Sequence, residues 1–386
     1  MFDFFSGTED VVCPHCLRKI SFGDIRFYCE TGDERRHEVS PTLADRFKKR
    51  LPVCRRNFCQ NNGLTVSAAE CRHCGEPLPP QILFHDRYLS VCAVGVAGAG
   101  KSSYLTTLVH ELKYSGLPWV LQAMDVETTE LAQSGEYNVY EARHCPAGTK
   151  SGEAPRPQLW TILDNSEKTD KIPTCALTIY DGAGEDCEHI GYTAADKQIA
   201  RYLSGTKMLL IIFDPLLLPG VRSEILPEVL NASMAIERQT SAPANMVSMI
   251  NSLANYIRGS CNIAPGKRID RNAAIVITKI DALRDIAGGF GSSSTIMKES
   301  PHAKMRGFVQ SDSEMVDLEI RDFLTRQGET AFLDTIDANF SRVRVFGVSS
   351  FGRPPDQNKR LAKVHPHRVL DPLMWMLASE KIIPTV

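Results

Sequence analysis

Three groups of residues in this chain have the types and spacing to do chemistry. The first is cysteine. Cys13 and Cys16 in "CPHC", and Cys71 and Cys74 in "CRHC", each stand two residues apart, so one tight turn can present two thiolates to a tetrahedral zinc ion. The second is "GVAGAGKS", in which Gly95, Gly100, Lys101 and Ser102 satisfy G-x-x-x-x-G-K-[ST]. The third is a series of polar strand ends: "YDGAGED" at 180–186, "VITKID" at 276–281 and "VSS" at 348–350.

Between the two cysteine pairs lie Cys29, His37, Cys54 and Cys59, which gives eight candidate ligands and room for two closed sites. The preferred division is sequential, with Cys13, Cys16, Cys29 and His37 on one zinc and Cys54, Cys59, Cys71 and Cys74 on the other. The alternative joins Cys13 and Cys16 to Cys71 and Cys74 in a single ribbon and leaves the middle cysteines as spares, because spacing alone does not fix which knuckles meet. His37 is the weakest of the eight, since a lone histidine in "GDERRHEVS" reads equally as a solvated surface group. His15 and His73, inside the knuckles, are expected to be bystanders. Four protein ligands leave no open position, so one or two zinc ions would be structural.

Seven of the twelve cysteines fall in the first 74 residues, a clustering that suits metal in a reducing cytoplasm better than disulfides. Between the knuckles, "SPTLADRFKKRLPVCRR" offers Ser40 as a helix N-cap, Pro41 as first helical residue and a basic stretch at 46–56. That stretch reads as a solvated helix face or as a docking surface for an acidic partner or RNA.

The glycine motif follows the apolar strand "YLSVCAVGV" and precedes a helical pattern at Leu105, Leu108, Val109 and Leu112. In that setting the backbone of Gly95, Gly98, Ala99 and Gly100, continuing into Ser103, wraps phosphates. Lys101 reaches the β/γ oxygens and the Ser102 hydroxyl ligates Mg²⁺. Asp281, at the end of an apolar strand, can accept both guanine N1–H and N2–H₂, while the Lys279 stem lies over the base and Thr278 opens the motif. At the end of a further strand, the backbone N–H groups of Ser349 and Ser350 could meet guanine O6.

Taken together, "GVAGAGKS", "DGAG", "TKID" and "VSS" resemble the nucleotide-binding motifs of the TRAFAC-class GTPases, the Ras-like branch of P-loop proteins, over residues 88–386. The cysteine-bearing N-terminus and the closing "HPHRVLDPLMWMLAS" resemble more narrowly the zinc-ribbon-bearing bacterial double-GTPase proteins of predicted conflict systems. That resemblance implies GTP/GDP and Mg²⁺ as ligands, a protein partner that is a second GTPase, and a role in defence or stress.

"QLWTILD" at 158–164 and "IPTCALTIYD" at 172–181 read as a hairpin that delivers Asp181 to a strand end. Asp181 would hold Mg²⁺ through water and Gly184 would offer its N–H to the γ-phosphate. Thr149, in the Gly/Pro-rich "HCPAGTKSGEAPRP", is the candidate that closes over Mg²⁺, with Thr128 and Thr129 as rivals. Glu185 stands where many small GTPases carry a water-orienting glutamine. Its charge near the γ-phosphate would slow hydrolysis without a partner. Two functions remain in view: a GTP-hydrolysing switch, or a GTP-binding scaffold with little turnover whose zinc module serves protein or RNA interaction.

The expected fold is α/β: a mostly parallel sheet with helices on both faces over 83–386, preceded by a small zinc module over 1–82. Segments at about 113–157, 216–270 and 282–340 are too long for plain loops and should carry inserted helices, one marked by Val316, Ile320, Phe323 and Leu324. With 43% hydrophobic residues, 23% charged and a net charge of -2 over 386 residues, the chain has no overall basic field, so bulk attraction to nucleic acid or anionic membrane is not expected. The opening "MFDFFSGTEDVV" lacks a basic leader, and Asp214 and Pro215 interrupt the most apolar run. A cytoplasmic protein without a membrane span is therefore the expectation.

Overall fold

The computed structural model describes residues 11–31, 36–48, 50–96, 98–146, 156–165, 173–182, 201–224, 246–284, 286, 288–356 and 358–386. The N-terminal part forms an antiparallel sheet of β1 (Ile25–Glu30), β2 (Arg36–Val39), β3 (Ala68–Cys71) and β4 (Pro77–Leu78) in the order β2-β1-β3-β4. Along β1, Ile25, Phe27 and Cys29 are buried while Arg26 and Glu30 are exposed, the period of two that one covered face demands.

The expected helix after Ser40 starts two residues later. Thr42 is its N-cap, and its hydroxyl accepts from the Asp45 N–H at 3.2 Å while the Asp45 carboxylate accepts from the Thr42 N–H at 2.9 Å. This reciprocal box fixes the first turn, so Pro41 stays outside and the helix is only Leu43–Phe47.

The larger sheet is built from β5 (Arg87–Gly95), β6 (Trp119–Ala123), β7 (Gln158–Asp164), β8 (Cys175–Asp181), β9 (Met208–Phe213), β10 (Ile269–Ile277) and β11 (Phe340–Gly347), in the order β11-β10-β9-β5-β8-β7-β6. The five strands from β11 to β8 run parallel. The expected hairpin is present as antiparallel β7 and β8, and β6 adds an antiparallel edge that the sequence reading did not assign. All six residues of β9 are buried, so both faces of the sheet centre are covered.

Helices Lys101–Tyr114, Val126–Glu136, Met246–Ser260, Gln310–Arg326, Thr330–Asn339 and Asp371–Ser379 accompany this sheet. Within Gln310–Arg326, Val316, Ile320, Phe323 and Leu324 are buried, as their helical spacing requires. The helix is tied to β11 by the Val345 N–H, which donates to Asp317 Oδ1 at 2.6 Å. Met249, Ile250, Leu253 and Ile257 of helix Met246–Ser260 are likewise buried. Among the described residues no helix is long and apolar enough to cross a membrane.

The two sheets share an apolar core. Cys13, Ile20, Phe27 and Ile82 pack in one cluster with Tyr88, Met124, Leu159 and Ala176 of the larger unit. The Tyr180 hydroxyl, one residue before Asp181, donates to the Pro14 carbonyl at 2.7 Å, and its ring stacks on Tyr202 with centroids 4.0 Å apart.

Candidate functional site

Four cysteine-rich turns and strands converge on two ligand groups. Cys13, Cys16, Cys71 and Cys74 form one, and Cys29, His37, Cys54 and Cys59 the other, with the ligand atoms of each within 4.8 Å of one another. Sulfur separations are 3.9 Å for Cys13–Cys74, 3.9 Å for Cys16–Cys71 and 3.7 Å for Cys29–Cys59, and Cys54 Sγ lies 3.4 Å from His37 Nε2. Zn–S bonds of about 2.3 Å in a tetrahedron place sulfurs about 3.8 Å apart, so the residues fit zinc. They are far too distant for disulfides.

Neither division of ligands expected from the sequence is observed. The sequential split fails because β3 returns to pair with β1, Ile25 opposite Cys71, which carries the last knuckle back to the first. The single-ribbon alternative is right about that pairing and wrong about spares. The β1–β2 hairpin sets Cys29 opposite His37, and the turn holding Cys54 and Cys59 completes the second group. His37 is therefore among the ligand positions, whereas His15 meets the Pro77 carbonyl and His73 faces Asp24. Burial pushes the thiols of Cys29 and Cys74 up to about 11, so binding a cation there must displace protons.

The glycine-rich loop joins the end of β5 to helix Lys101–Tyr114. A Cβ on Gly95 would lie 2.2 Å from the Ile212 carbonyl oxygen of β9, and Gly98 and Gly100 have φ of +76° and +81°. Only glycine meets these conditions without strain. Gly100 caps the helix with no side-chain hydrogen bond, leaving the first-turn N–H groups directed at the loop, the arrangement that receives anions. Lys101 is buried and its Nζ pairs with Asp181 Oδ1 across from the end of β8. Ser102 follows Lys101 in the first turn.

At the far end, the buried Thr278 hydroxyl bonds to the Ala99 carbonyl at 2.8 Å and to the Phe213 carbonyl at 3.1 Å. It thereby ties the strand end that carries "TKID" to the phosphate loop. Lys279 has φ +53° and its Nζ pairs with the buried Asp214. Asp214 was read only as an interruption of an apolar run; a carboxylate at the end of a buried strand was the available signal. Burial raises the Asp281 carboxyl above the ordinary range, with the Ser349 hydroxyl acting the other way.

One expectation changes here. The Ser349 N–H donates to the His367 carbonyl at 3.0 Å, because residues 349 and 367 form a β-bridge. That leaves Ser350, and not the pair, as the backbone donor for a base. The rival threonines also have structural duties: Thr128 Oγ1 accepts from the Leu159 N–H at 2.9 Å and Thr129 Oγ1 donates to the Asp125 carbonyl at 2.9 Å. Thr149, Gly184 and Glu185 lie outside the described residues.

A third cluster, His302, Asp312 and Asp371, has metal-ligand residue types but is filled by a cation already. Arg368 donates to Asp312 and Asp371 at 2.8 Å each and to the Thr295 carbonyl at 2.8 Å. This knot fastens the inserted helices to the segment after β11.

No family model matches the chain, and no curated protein sequence matches it. Solved structures similar to it include the following three. Era from Aquifex aeolicus, bound to GDP and AlF₄⁻, is 11% identical, with a TM-score of 0.27 over 69% of this chain and 53% of that one. The signal recognition particle receptor SRb-GTP/SRX complex from Chaetomium thermophilum is 12% identical, with a TM-score of 0.29 over 69% of this chain and 93% of that one. A GTP-binding protein from Sulfolobus solfataricus in complex with GDP is 10% identical, with a TM-score of 0.24 over 69% of this chain and 48% of that one. This chain thus spans about half the length of two of these three.

Proposed function

We propose that this chain is a Mg²⁺-dependent GTP-binding and GTP-hydrolysing switch that works with a protein partner and carries two structural zinc ions. The observation that carries the reading is the Thr278 hydroxyl bonded to the Ala99 carbonyl. It makes the phosphate-binding loop and the base-reading strand end one rigid unit, with Lys101 at one end and Asp281 at the other. Backbone N–H groups of the glycine-rich loop and of Ser103 would surround the phosphates, Lys101 would neutralise the β/γ oxygens, and Asp281 with the Ser350 N–H would select guanine. Ser102, Asp181 and Thr149 would hold Mg²⁺, which would supply charge neutralisation on the phosphates.

Gly184 and Thr149, both outside the described residues, are the positions that would sense the γ-phosphate, whose loss would then release their segments. Glu185 takes the place in sequence of a water-orienting residue, and its charge, with Asp186 and Glu188 close in sequence, would keep turnover slow until a basic partner surface offsets it. The partner is a second GTPase in a cytoplasmic defence or stress system of bacteria, as the resemblance implies. Cys13, Cys16, Cys71 and Cys74 hold one zinc, and Cys29, His37, Cys54 and Cys59 the other.

Equilibrium binding of GTP and ATP with Mg²⁺ tests the guanine assignment: comparable affinities would overturn it. Multiple-turnover phosphate release separates a switch from a scaffold that binds GTP without turning it over. Sustained release lost in Lys101→Ala supports the switch, whereas tight GTP binding with no release supports the scaffold.

A further inference from the structure

The chain carries a net charge of -2, yet residues 40–64 contain six lysines and arginines against a single acid, Asp45. Asp45 is buried and already paired with Arg50. Arg46, Lys48, Arg55 and Arg56 are exposed and pair with no carboxylate among the described residues. They come from two places in the fold, the Leu43–Phe47 helix and the turn between Cys54 and Cys59. Residues of the helix start and of that turn border one groove, where Arg55 and Arg56 stand with Thr42, Asp45, His37 and Glu38, while Arg46 and Lys48 lie outside its lining.

Two aromatic rings stand out beside these cations. Phe47 is 80% exposed and Phe58 fully so. Phe58 also has φ +69°, a backbone region that bulky residues rarely adopt. A phenylalanine held there without packing gains nothing for the fold, and backbone outliers of this kind point to function. Its neighbours Asn57 and Gln60 are exposed too, and their amides both donate and accept.

We infer that this face of the second cysteine-histidine group is a docking surface for single-stranded RNA. Arg46, Lys48, Arg55 and Arg56 meet phosphates, Phe47 and Phe58 stack on unpaired bases, and Asn57 and Gln60 read base edges. An acidic protein would use the same cations; unpaired bases would in addition stack on the two solvated rings and meet the amides beside them. RNA, unlike genomic DNA, presents unpaired bases as a rule. The inference does not depend on the GTP reading, because every residue in it lies on the N-terminal sheet module.

The test is fluorescence anisotropy of the full-length, zinc-loaded protein with a labelled oligouridylate of about twelve nucleotides, a length matched to single-strand sites. Saturable binding is expected, with log affinity falling against log salt at a slope of about -3 for four phosphate contacts. Phe47→Ala with Phe58→Ala should weaken binding about 10- to 100-fold, and Arg55→Glu with Arg56→Glu should abolish it, with zinc content unchanged. Photocrosslinking of the unsubstituted protein, which needs no variant to fold, should mark the peptide that contains Phe58. No binding at low salt, crosslinks elsewhere, or undiminished binding by zinc-replete variants would overturn the inference. So would competition by polyglutamate as strong as by RNA, or equal binding of oligothymidylate.

Discussion

The two ends of this molecule gather their candidate ligands in opposite ways. The glycine-rich loop is contiguous: Gly95 to Ser103 follow one another, and the donors it would offer a ligand are largely backbone. The cysteine groups are assembled from side chains up to 61 residues apart, Cys13 meeting Cys74, and depend on how four strands pair. A backbone cradle should therefore be sensitive to an added carbon, and a side-chain cage to a removed heteroatom.

The largest effect expected is on the cage. Cys71→Ser should cut zinc content from two ions per chain to about one and leave little folded protein, since structural zinc contributes on the order of 10 kcal/mol to small modules. Metal analysis with circular dichroism reads both. Because thiols at about 11 must lose protons to bind a cation, zinc affinity should fall as pH falls, which a chelator competition series would show. Survival of a fully folded chain without zinc would erase the contrast.

Next comes the one side chain that the cradle needs. Lys101→Ala removes a buried cation and should weaken GTP binding by about two orders of magnitude, in line with the loss of a buried charge pair. Asp281→Ala should lower GTP affinity by about 10- to 100-fold with ATP unaffected, the worth of one or two charge-assisted hydrogen bonds. Since burial raises the Asp281 carboxyl and recognition needs its anion, GTP affinity should begin to fall at a higher pH than an ordinary aspartate would give. Titration of affinity against pH measures this.

Smaller still is the added carbon. Gly95→Ala would place a Cβ 2.2 Å from the Ile212 carbonyl, and overpacking of this kind costs about 1–3 kcal/mol, measurable by thermal unfolding and by weakened nucleotide binding. Thr42→Ala should cost least, about 1 kcal/mol for a lost N-cap. It would also release Asp45, which the Thr42 hydroxyl holds down at about 2. That depressed carboxyl contributes stability present above its ordinary pKa and lost as pH falls toward 2, so the variant should differ most from the parent near neutrality.

Local chemistry was readable from the sequence, and long-range pairing was not. The glycine-rich turn before helix Lys101–Tyr114, the β7–β8 hairpin and the helix at 310–326 each announce themselves within about twenty residues through glycine placement, alternation or helical spacing. The nested cysteine-histidine groups depend on β1 pairing with both β2 and β3, which knuckle spacing cannot encode. The Lys279–Asp214 pair joins two strands 65 residues apart, and only its buried carboxylate hinted at it. The bridge between Ser349 and His367 likewise decides which serine keeps a free donor, and nothing around "VSS" foretells that.

The Tyr180 hydroxyl on the Pro14 carbonyl means that the first knuckle acts as a wall of the larger unit and not as an appendage. Severing the first 82 residues would bare Tyr88, Leu159 and Ala176 and strip the backing from the strand that ends in Asp181. The shortened chain should be sticky and poorly soluble, and rescue should come from supplying the missing piece separately. Whatever event loosens that seam, oxidation of the thiols included, would be felt one residue from Asp181 and so at its pairing with Lys101.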